Sequence, residues 1–319
     1  MPKVLFLTHL VPEITSQFLR YAPPEFEVTI QPHNLPEDQL VALMPEIDFV
    51  ILFPPRIPEA ALRVAKKLKL LQLVSVGFDS IDLDLCRELN IPVTNNGGAN
   101  SIDVAEHTLA MILAFYRRFT VLDRNVRTDQ WRGVDSGLTT YCIDGKTAGI
   151  IGLGQIGQRV ARLLNAFGAK VLYYDAYPQS PETEQALGVT RTTLDDLLQQ
   201  SDIVTLHVPL MDSTAGLIST RELELMKSNA LLVNTCRGPV IDEIALTEAL
   251  SHSKIAGAAL DVLAHEPPDP NNPLFQLDNV LLTPHTAGVT FDTWPRRGEF
   301  IFENLQRVWR GEPPLAQVS

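Results

Sequence analysis

Along most of the chain, short apolar runs rich in β-branched residues alternate with stretches whose apolar residues recur every three or four positions. A parallel strand buried on both faces reads as a continuous apolar run, and its crossover helix reads as an amphipathic stretch, so the alternation predicts βαβ units around parallel sheets. In the first third the predicted strands are 3–7, 27–30, 48–52, 70–74 and 92–94, with helical spacing over 58–68 and 82–89. The run Asn95-Asn96-Gly97-Gly98-Ala99-Asn100 interrupts the pattern and marks a domain boundary. A long helix is predicted from Ser101 to about Arg127, with Ser101 as N-cap and Asp103 and Glu106 where the helix dipole favours acids. Its buried face carries Val104, Leu109, Ile112, Leu113 and Tyr116. A second block of strands follows at 147–151, 170–174, 203–206, 230–234, 257–260 and 280–282, and a last helix spans 293–310.

The predicted fold class is α/β with two domains, each a parallel sheet flanked by helices. The boundaries are 1–99 plus 289–319 for the first domain and 100–288 for the second, so the closing helix returns to the first domain and makes it discontinuous.

Composition narrows the function classes. At 319 residues, 45% hydrophobic and 20% charged, the chain reads as globular and long enough for two cores. Its net charge of -12 argues against a nucleic-acid partner, which requires a cationic face. No apolar run approaches the roughly 18 residues of a membrane span. The opening Met1-Pro2-Lys3-Val4-Leu5-Phe6-Leu7 is too short for a signal-peptide core and reads as a first strand. Cys86, Cys142 and Cys236 are odd in number and widely spaced, without a metal-binding pattern, so a reducing, cytoplasmic location and no metal are expected.

Gly152-Leu153-Gly154-Gln155-Ile156-Gly157 fits GxGxxG, weak alone but strong in context. It follows the apolar run 148–151 and opens a helix with Ile156, Val160, Leu163 and Phe167 on one face. Gly168 closes that helix, and Asp175 ends the next strand, 18 residues past Gly157. In this Rossmann-type arrangement Gly152 allows the tight turn, Gly154 admits the pyrophosphate, and Gly157 packs helix on strand. The helix N-terminus offers N–H groups to the phosphates, and Asp175 accepts from the ribose hydroxyls while repelling a 2′-phosphate. NAD is therefore the expected cofactor. A ligand-free glycine turn is the plainer alternative, but strand, turn, helix and terminal acid all agree. About 145 residues precede the motif, enough for a separate domain ahead of it.

Three reactive side chains follow predicted strands: Arg237 after 230–234, Glu266 after 257–260, and His285 after 280–282. In open α/β sheets ligands bind beyond those strand ends. Oxidising a 2-hydroxy acid requires a group to take the hydroxyl proton, and histidine titrates in the right range. A neighbouring carboxylate fixes the ring, and a planar guanidinium can hold the substrate carboxylate. The assignment is His285 as acid/base, Glu266 as its partner and Arg237 as anchor. Taken singly, each could be a surface arginine, a loop acid or a turn histidine.

Gly152 to Gly157, the run Asn234-Thr235-Cys236-Arg237-Gly238-Pro239-Val240-Ile241-Asp242, Asp261-Val262 with Glu266-Pro267, and Pro284-His285 with Gly288 resemble the D-isomer-specific 2-hydroxyacid dehydrogenases over nearly the whole chain. The resemblance implies a flavodoxin-like substrate domain beside the Rossmann domain, and Arg237, Glu266 and His285 as the catalytic trio. It implies cofactor contacts at Gln155, Ile156, Asp175, His207, Pro209, Thr235, Arg237, Asp261, His285 and Gly288, with Thr108 on the nicotinamide side. It also implies that the backbone of Ser75, Val76 and Gly77 meets the substrate carboxylate, that the substrate is the D isomer, and that two copies pair through their cofactor domains. Formate dehydrogenases of this superfamily carry Gln where Glu266 stands, and phosphite dehydrogenases carry Lys where Val76 stands, so neither activity is expected. Cys236 is unusual beside Arg237; it is either oxidation-sensitive or a small buried thiol.

Phe53-Pro54-Pro55-Arg56, Trp294, Arg296 and Arg297 are expected on the substrate side, giving a compact pocket for glyoxylate, hydroxypyruvate or pyruvate. Arg56 could hold a second anionic group such as a phosphate or distal carboxylate, although a solvated loop arginine is the plainer reading; 3-phosphoglycerate is the runner-up substrate. A rival of another class is an NAD-sensing corepressor on the same fold, although the chain has no Pro/Ser-rich flank.

Overall fold

The computed structural model describes residues 1–131 and 133–319. The chain falls into two compact units, Met1–Asn100 with Val289–Ser319, and Ser101–Gly288.

The first unit carries β1 (Lys3–Thr8), α1 (Pro12–Leu19), β2 (Glu27–Pro32), α2 (Glu37–Leu43), β3 (Phe49–Phe53), α3 (Glu59–Val64), β4 (Leu70–Leu73), α4 (Leu83–Glu88) and β5 (Val93–Thr94). Its strands form one parallel sheet in the order β2-β1-β3-β4-β5, the flavodoxin-like order expected from the resemblance. The central strands β1, β3 and β4 are buried on both faces, as their unbroken apolar sequence requires. The C-terminal helix Thr293–Trp309 packs against α1, so this unit is discontinuous in sequence.

Asn304 of that helix is fully buried. Its Nδ2 donates to Gln72 Oε1 at 2.8 Å and Leu315 O at 3.2 Å, while its Oδ1 accepts from Leu315 N at 2.7 Å. One side chain thus ties the helix, the tail and β4 together. Trp294 and Arg297, expected on the substrate side, are 4% and 3% exposed. Trp294 lies in the aromatic core with Phe18 and Phe53, and Arg297 stacks over it while donating to Thr293 Oγ1 and Val74 O. That expectation is corrected: the large apolar area of Trp294 favours the interior, and the hydrogen bonds and aromatic face that Arg297 meets there offset the cost of desolvating its charge.

The second unit carries α5 (Ser101–Tyr116), α6 (Phe119–Arg127), β6 (Thr147–Ile151), α7 (Gln155–Ala166), β7 (Lys170–Tyr174), α8 (Pro181–Leu187), β8 (Val189–Arg191), α9 (Leu194–Gln200), β9 (Ile203–Leu206), α10 (Thr220–Leu225), β10 (Leu231–Asn234), α11 (Glu243–Ser251), β11 (Gly257–Leu260) and β12 (Val280–Leu282). All seven strands are parallel, in the order β12-β11-β10-β9-β6-β7-β8. The long helix expected over 101–127 is two helices, broken at Arg118, whose backbone is left-handed at φ 50°. Ser101 is the first residue of α5 rather than its cap, and its hydroxyl accepts from Arg159 Nε. Among the described residues no helix is long and apolar enough to cross a membrane.

Replacing Asn304 by Ala removes both of its bonds to the Leu315 backbone and leaves Gln72 Oε1 with Thr94 Oγ1 alone, so stability should fall by about 1–2 kcal/mol. A urea titration of the variant against wild type measures it; an unchanged midpoint would contradict the role given to Asn304.

Candidate active site

Winding reverses in the larger sheet between β6 and β9: β7 and β8 lie to one side of β6, and β9 to β12 lie to the other. At such a reversal the loops leaving two neighbouring strands diverge and open a crevice beyond their carboxyl ends. Gly152 leaves β6 there and His207 leaves β9. A Cβ on Gly152, whose φ is +93°, would sit 2.5 Å from His207 O, so only glycine lets the two loops touch. A Cβ on Gly157 would sit 2.1 Å from Gly152 O, which is the close packing that the motif's last glycine provides. Gly154 faces open space within 4 Å, on the side where the N-terminus of α7 points its free N–H groups. Gln155 and Ile156 form the first turn of α7.

Asp175, just past β7, accepts from Leu153 N at 2.7 Å through Oδ2 and from Tyr177 N at 2.9 Å through Oδ1. The carboxylate is thereby held against the glycine turn. His207 sets its Nε2 3.0 Å from Thr205 Oγ1, while its Nδ1 is buried with no partner among the described residues. Burial lowers its pKa to about 3, so the ring is a neutral hydrogen-bonding group. An open glycine, a free helix N-terminus and an orphaned imidazole nitrogen along one crevice fit a dinucleotide. Pro209, next along, offers its carbonyl to Thr214 Oγ1 at 2.6 Å.

The other end of the crevice is built by three adjacent strands. Arg237 follows β10, Glu266 follows β11 and His285 follows β12. His285 Nδ1 lies 2.6 Å from Glu266 Oε2, and Glu266 Oε1 accepts from Leu263 N at 3.0 Å. Burial pushes the Glu266 carboxyl up, but the hydrogen bond and charge of His285, the Leu263 amide and the Arg237 charge outweigh it and hold its pKa below the usual carboxylate range. Arg237 Nη1 donates to Cys236 O at 2.7 Å, which orients the guanidinium. Sequence reasoning passed over Gly238. A Cβ there would lie 1.9 Å from Leu263 O, so the Arg237 and Glu266 loops can meet only because the residue is glycine. The Arg-Gly-Pro order was its signal.

Thr108 and Thr235 come together as well, their hydroxyls 3.0 Å apart and both buried. Thr108 Oγ1 donates to Val104 O at 2.7 Å, so its proton is committed and Thr235 is the donor between them. Asp261 is 2% exposed, and its carboxylate is held inside the 283–287 loop. Gly288 ends that loop. Cys236 Sγ lies 3.1 Å from Asn234 Oδ1, and burial raises its pKa to about 11. A protonated thiol is a poor nucleophile, which favours the structural reading of Cys236 over the oxidation-sensitive one. In the first unit, Ser75, Val76 and Gly77 follow β4, and their carbonyls accept from Asn96 N, Asn95 Nδ2 and Ser75 Oγ respectively.

Residues 109–287 match the family described as D-isomer specific 2-hydroxyacid dehydrogenase, NAD binding domain. The chain is 38% identical over 324 residues to a glyoxylate reductase of Aeropyrum pernix, covering 100% of this chain and 96% of that one. It is 37% identical over 288 residues to a D-3-phosphoglycerate dehydrogenase of Archaeoglobus fulgidus, covering 90% of this chain and 54% of that longer relative. Among solved structures, the NAD-complexed D-isomer specific 2-hydroxyacid dehydrogenase of Lactobacillus delbrueckii ssp. bulgaricus superposes with a TM-score of 0.82 at 28% identity, covering 99% of this chain and 100% of that one. The crevice of the larger sheet, with its open glycine turn and its hydrogen-bonded His285–Glu266 pair, thus belongs to an NAD-dependent enzyme, and the chain is a member of the D-isomer-specific 2-hydroxyacid dehydrogenases.

Proposed function

We propose that the protein reduces a small 2-oxo acid, with glyoxylate first and hydroxypyruvate and pyruvate after it, using Arg237, Glu266 and His285. The observation that carries this reading is the 2.6 Å contact between His285 Nδ1 and Glu266 Oε2. An ionised carboxylate only accepts, so Nδ1 carries the proton and Nε2 is left for the substrate. In reduction, protonated Nε2 gives its proton to the 2-oxo oxygen; in oxidation, neutral Nε2 takes the hydroxyl proton. Glu266, ionised throughout, stabilises the imidazolium in either direction. Arg237 pairs with the substrate carboxylate and polarises the adjacent carbonyl. Bound NAD(H) supplies or accepts the hydride at the substrate's 2-carbon. Gly152, Gly154, Gln155, Ile156, Gly157, Asp175, His207, Pro209, Thr108, Thr235, Asp261 and Gly288 are proposed to hold it.

The first unit is proposed as the substrate domain. There the carbonyls of Ser75, Val76 and Gly77 are already engaged, which favours the amide side of that loop for the substrate carboxylate. The names of the archaeal glyoxylate reductases favour the smallest acid. The phosphoglycerate dehydrogenase similarity keeps 3-phosphohydroxypyruvate in the test panel.

A homodimer is proposed from the segment 119–138 of the second unit. Trp131, Val134 and Leu138 are 84%, 95% and 84% exposed, and Phe119 and Val126 are also exposed. Monomers rarely leave so much apolar surface in water, and a second copy of the same segment is the symmetric way to cover it. The free cysteines Cys86, Cys142 and Cys236 accord with a cytoplasmic location.

Three outcomes follow. NADH oxidation should be faster with glyoxylate than with pyruvate or 3-phosphohydroxypyruvate, and His285→Ala should lower kcat by at least about 100-fold; no turnover on any of them would sink the reading. Because Glu266 has a depressed pKa in the fold, its ionised form contributes stability above the ordinary carboxylate range, and that contribution is lost as pH falls through the depressed value. The Tm gap between wild type and Glu266→Gln should therefore be widest near neutrality and close below the ordinary carboxylate range; a gap independent of pH would refute the assignment. Light scattering should give a dimer for wild type and a smaller species for Leu138→Asp, and a wild-type monomer would remove the interface.

A further inference from the structure

His285 holds its backbone in the left-handed region, at φ 54°, a conformation that a non-glycine residue keeps only when its surroundings impose it. The surroundings are supplied by one buried carboxylate. Asp261 Oδ1 accepts from Thr286 N at 2.9 Å and from Thr283 Oγ1 at 2.5 Å, and Asp261 Oδ2 accepts from Ala287 N at 2.9 Å. Asp261 O also accepts from His285 N at 2.7 Å. Every residue flanking the catalytic imidazole, except Pro284, is thus bonded to Asp261.

His107 reaches this carboxylate from α5, more than 150 residues away in sequence. Its Nε2 lies 3.0 Å from Thr283 Oγ1 and 3.6 Å from Asp261 Oδ1. A hydroxyl has one proton, and the short contact to an acceptor-only carboxylate commits the Thr283 proton to Asp261. His107 Nε2 therefore donates to Thr283 Oγ1, giving a one-way chain from His107 N–H through the Thr283 hydroxyl to the Asp261 carboxylate. Each link polarises the next around the buried Asp261 carboxylate. Neither side chain reaches the reacting atoms.

We propose that His107 and Thr283 are positioning residues for the acid–base histidine: by fixing the Asp261 carboxylate they hold the 283–287 loop, and with it the imidazole of His285 against Glu266. The inference rests on the dehydrogenase reading given above. Breaking the chain should misplace the proton donor without removing it, so the chemical step slows while cofactor binding persists.

The test compares His107→Leu, His107→Gln, Thr283→Val and Thr283→Ser in the full-length protein. His107→Leu and Thr283→Val should lower kcat about tenfold, the size expected for losing a hydrogen bond that supports a charged group. The dissociation constant for NADH, read by its fluorescence, should move less than about twofold, a difference too small to count as a lost contact. kcat in these two variants should also become more sensitive to deuterated solvent, since proton delivery is the step impaired. His107→Gln and Thr283→Ser, which keep the donor and the hydroxyl, should recover to within about twofold of wild type. Wild-type kcat in His107→Leu would overturn the proposal. So would a rise in the NADH dissociation constant matching the loss in kcat, or an equal loss in all four variants tracking their Tm. Absence of turnover in the wild-type protein would instead mark failure of the dehydrogenase reading.

Discussion

A parallel strand cannot return through a tight turn; each must be followed by a crossover that carries the chain back to the starting edge. In the larger unit this rule acts on seven strands at once, so every loop that follows a strand emerges along one edge of the sheet. Chemistry can collect only there. Order within the sheet then decides which loops meet. The reversal between β6 and β9 opens a crevice beside the glycine turn, and the neighbouring β10, β11 and β12 deliver Arg237, Glu266 and His285 side by side. Glu266 and His285 become contacts because β11 and β12 are adjacent.

Within that frame, burial sets the character of each polar group. His207 and Cys236 lack a charged partner strong enough to offset desolvation, so the one stays neutral and the other stays protonated. Glu266 is only half-buried and has His285, an amide and Arg237 around it, and it remains ionised. Three groups on adjoining loops therefore differ in charge: a neutral imidazole, a protonated thiol and an ionised carboxylate. Glycine sets the geometry where side chains cannot. Gly238 lets the loop of Arg237 touch the loop of Glu266, as Gly152 lets the turn touch His207.

Much of this was legible in the sequence. Among the described residues, eleven of the twelve strands fall where the apolar and β-branched pattern places them, and their ends agree with the expected ends to within two positions. The twelfth, Val189–Arg191, is a three-residue edge strand with two polar positions, too short and too mixed to carry a period. The break at Arg118 was hidden for a different reason. No glycine or proline stands there, and the local composition does not encode a positive φ. Trp294 and Arg297 were misplaced because helical spacing tells which residues share a face, and it does not tell what that face meets.

The sequence by itself determined the fold class, the dinucleotide turn and the candidate trio Arg237, Glu266 and His285, because each is a local pattern: a run of apolar residues, glycines at fixed offsets, a reactive residue just past a strand. Tertiary structure alone decided which partners those residues have. The hydroxyl of Thr283 and the imidazole of His107 meet at the Asp261 carboxylate because α5 crosses the sheet at that end. A hydrogen bond is made at about 3 Å regardless of the length of chain between donor and acceptor, and no local pattern records which distant residue the fold will bring to that distance.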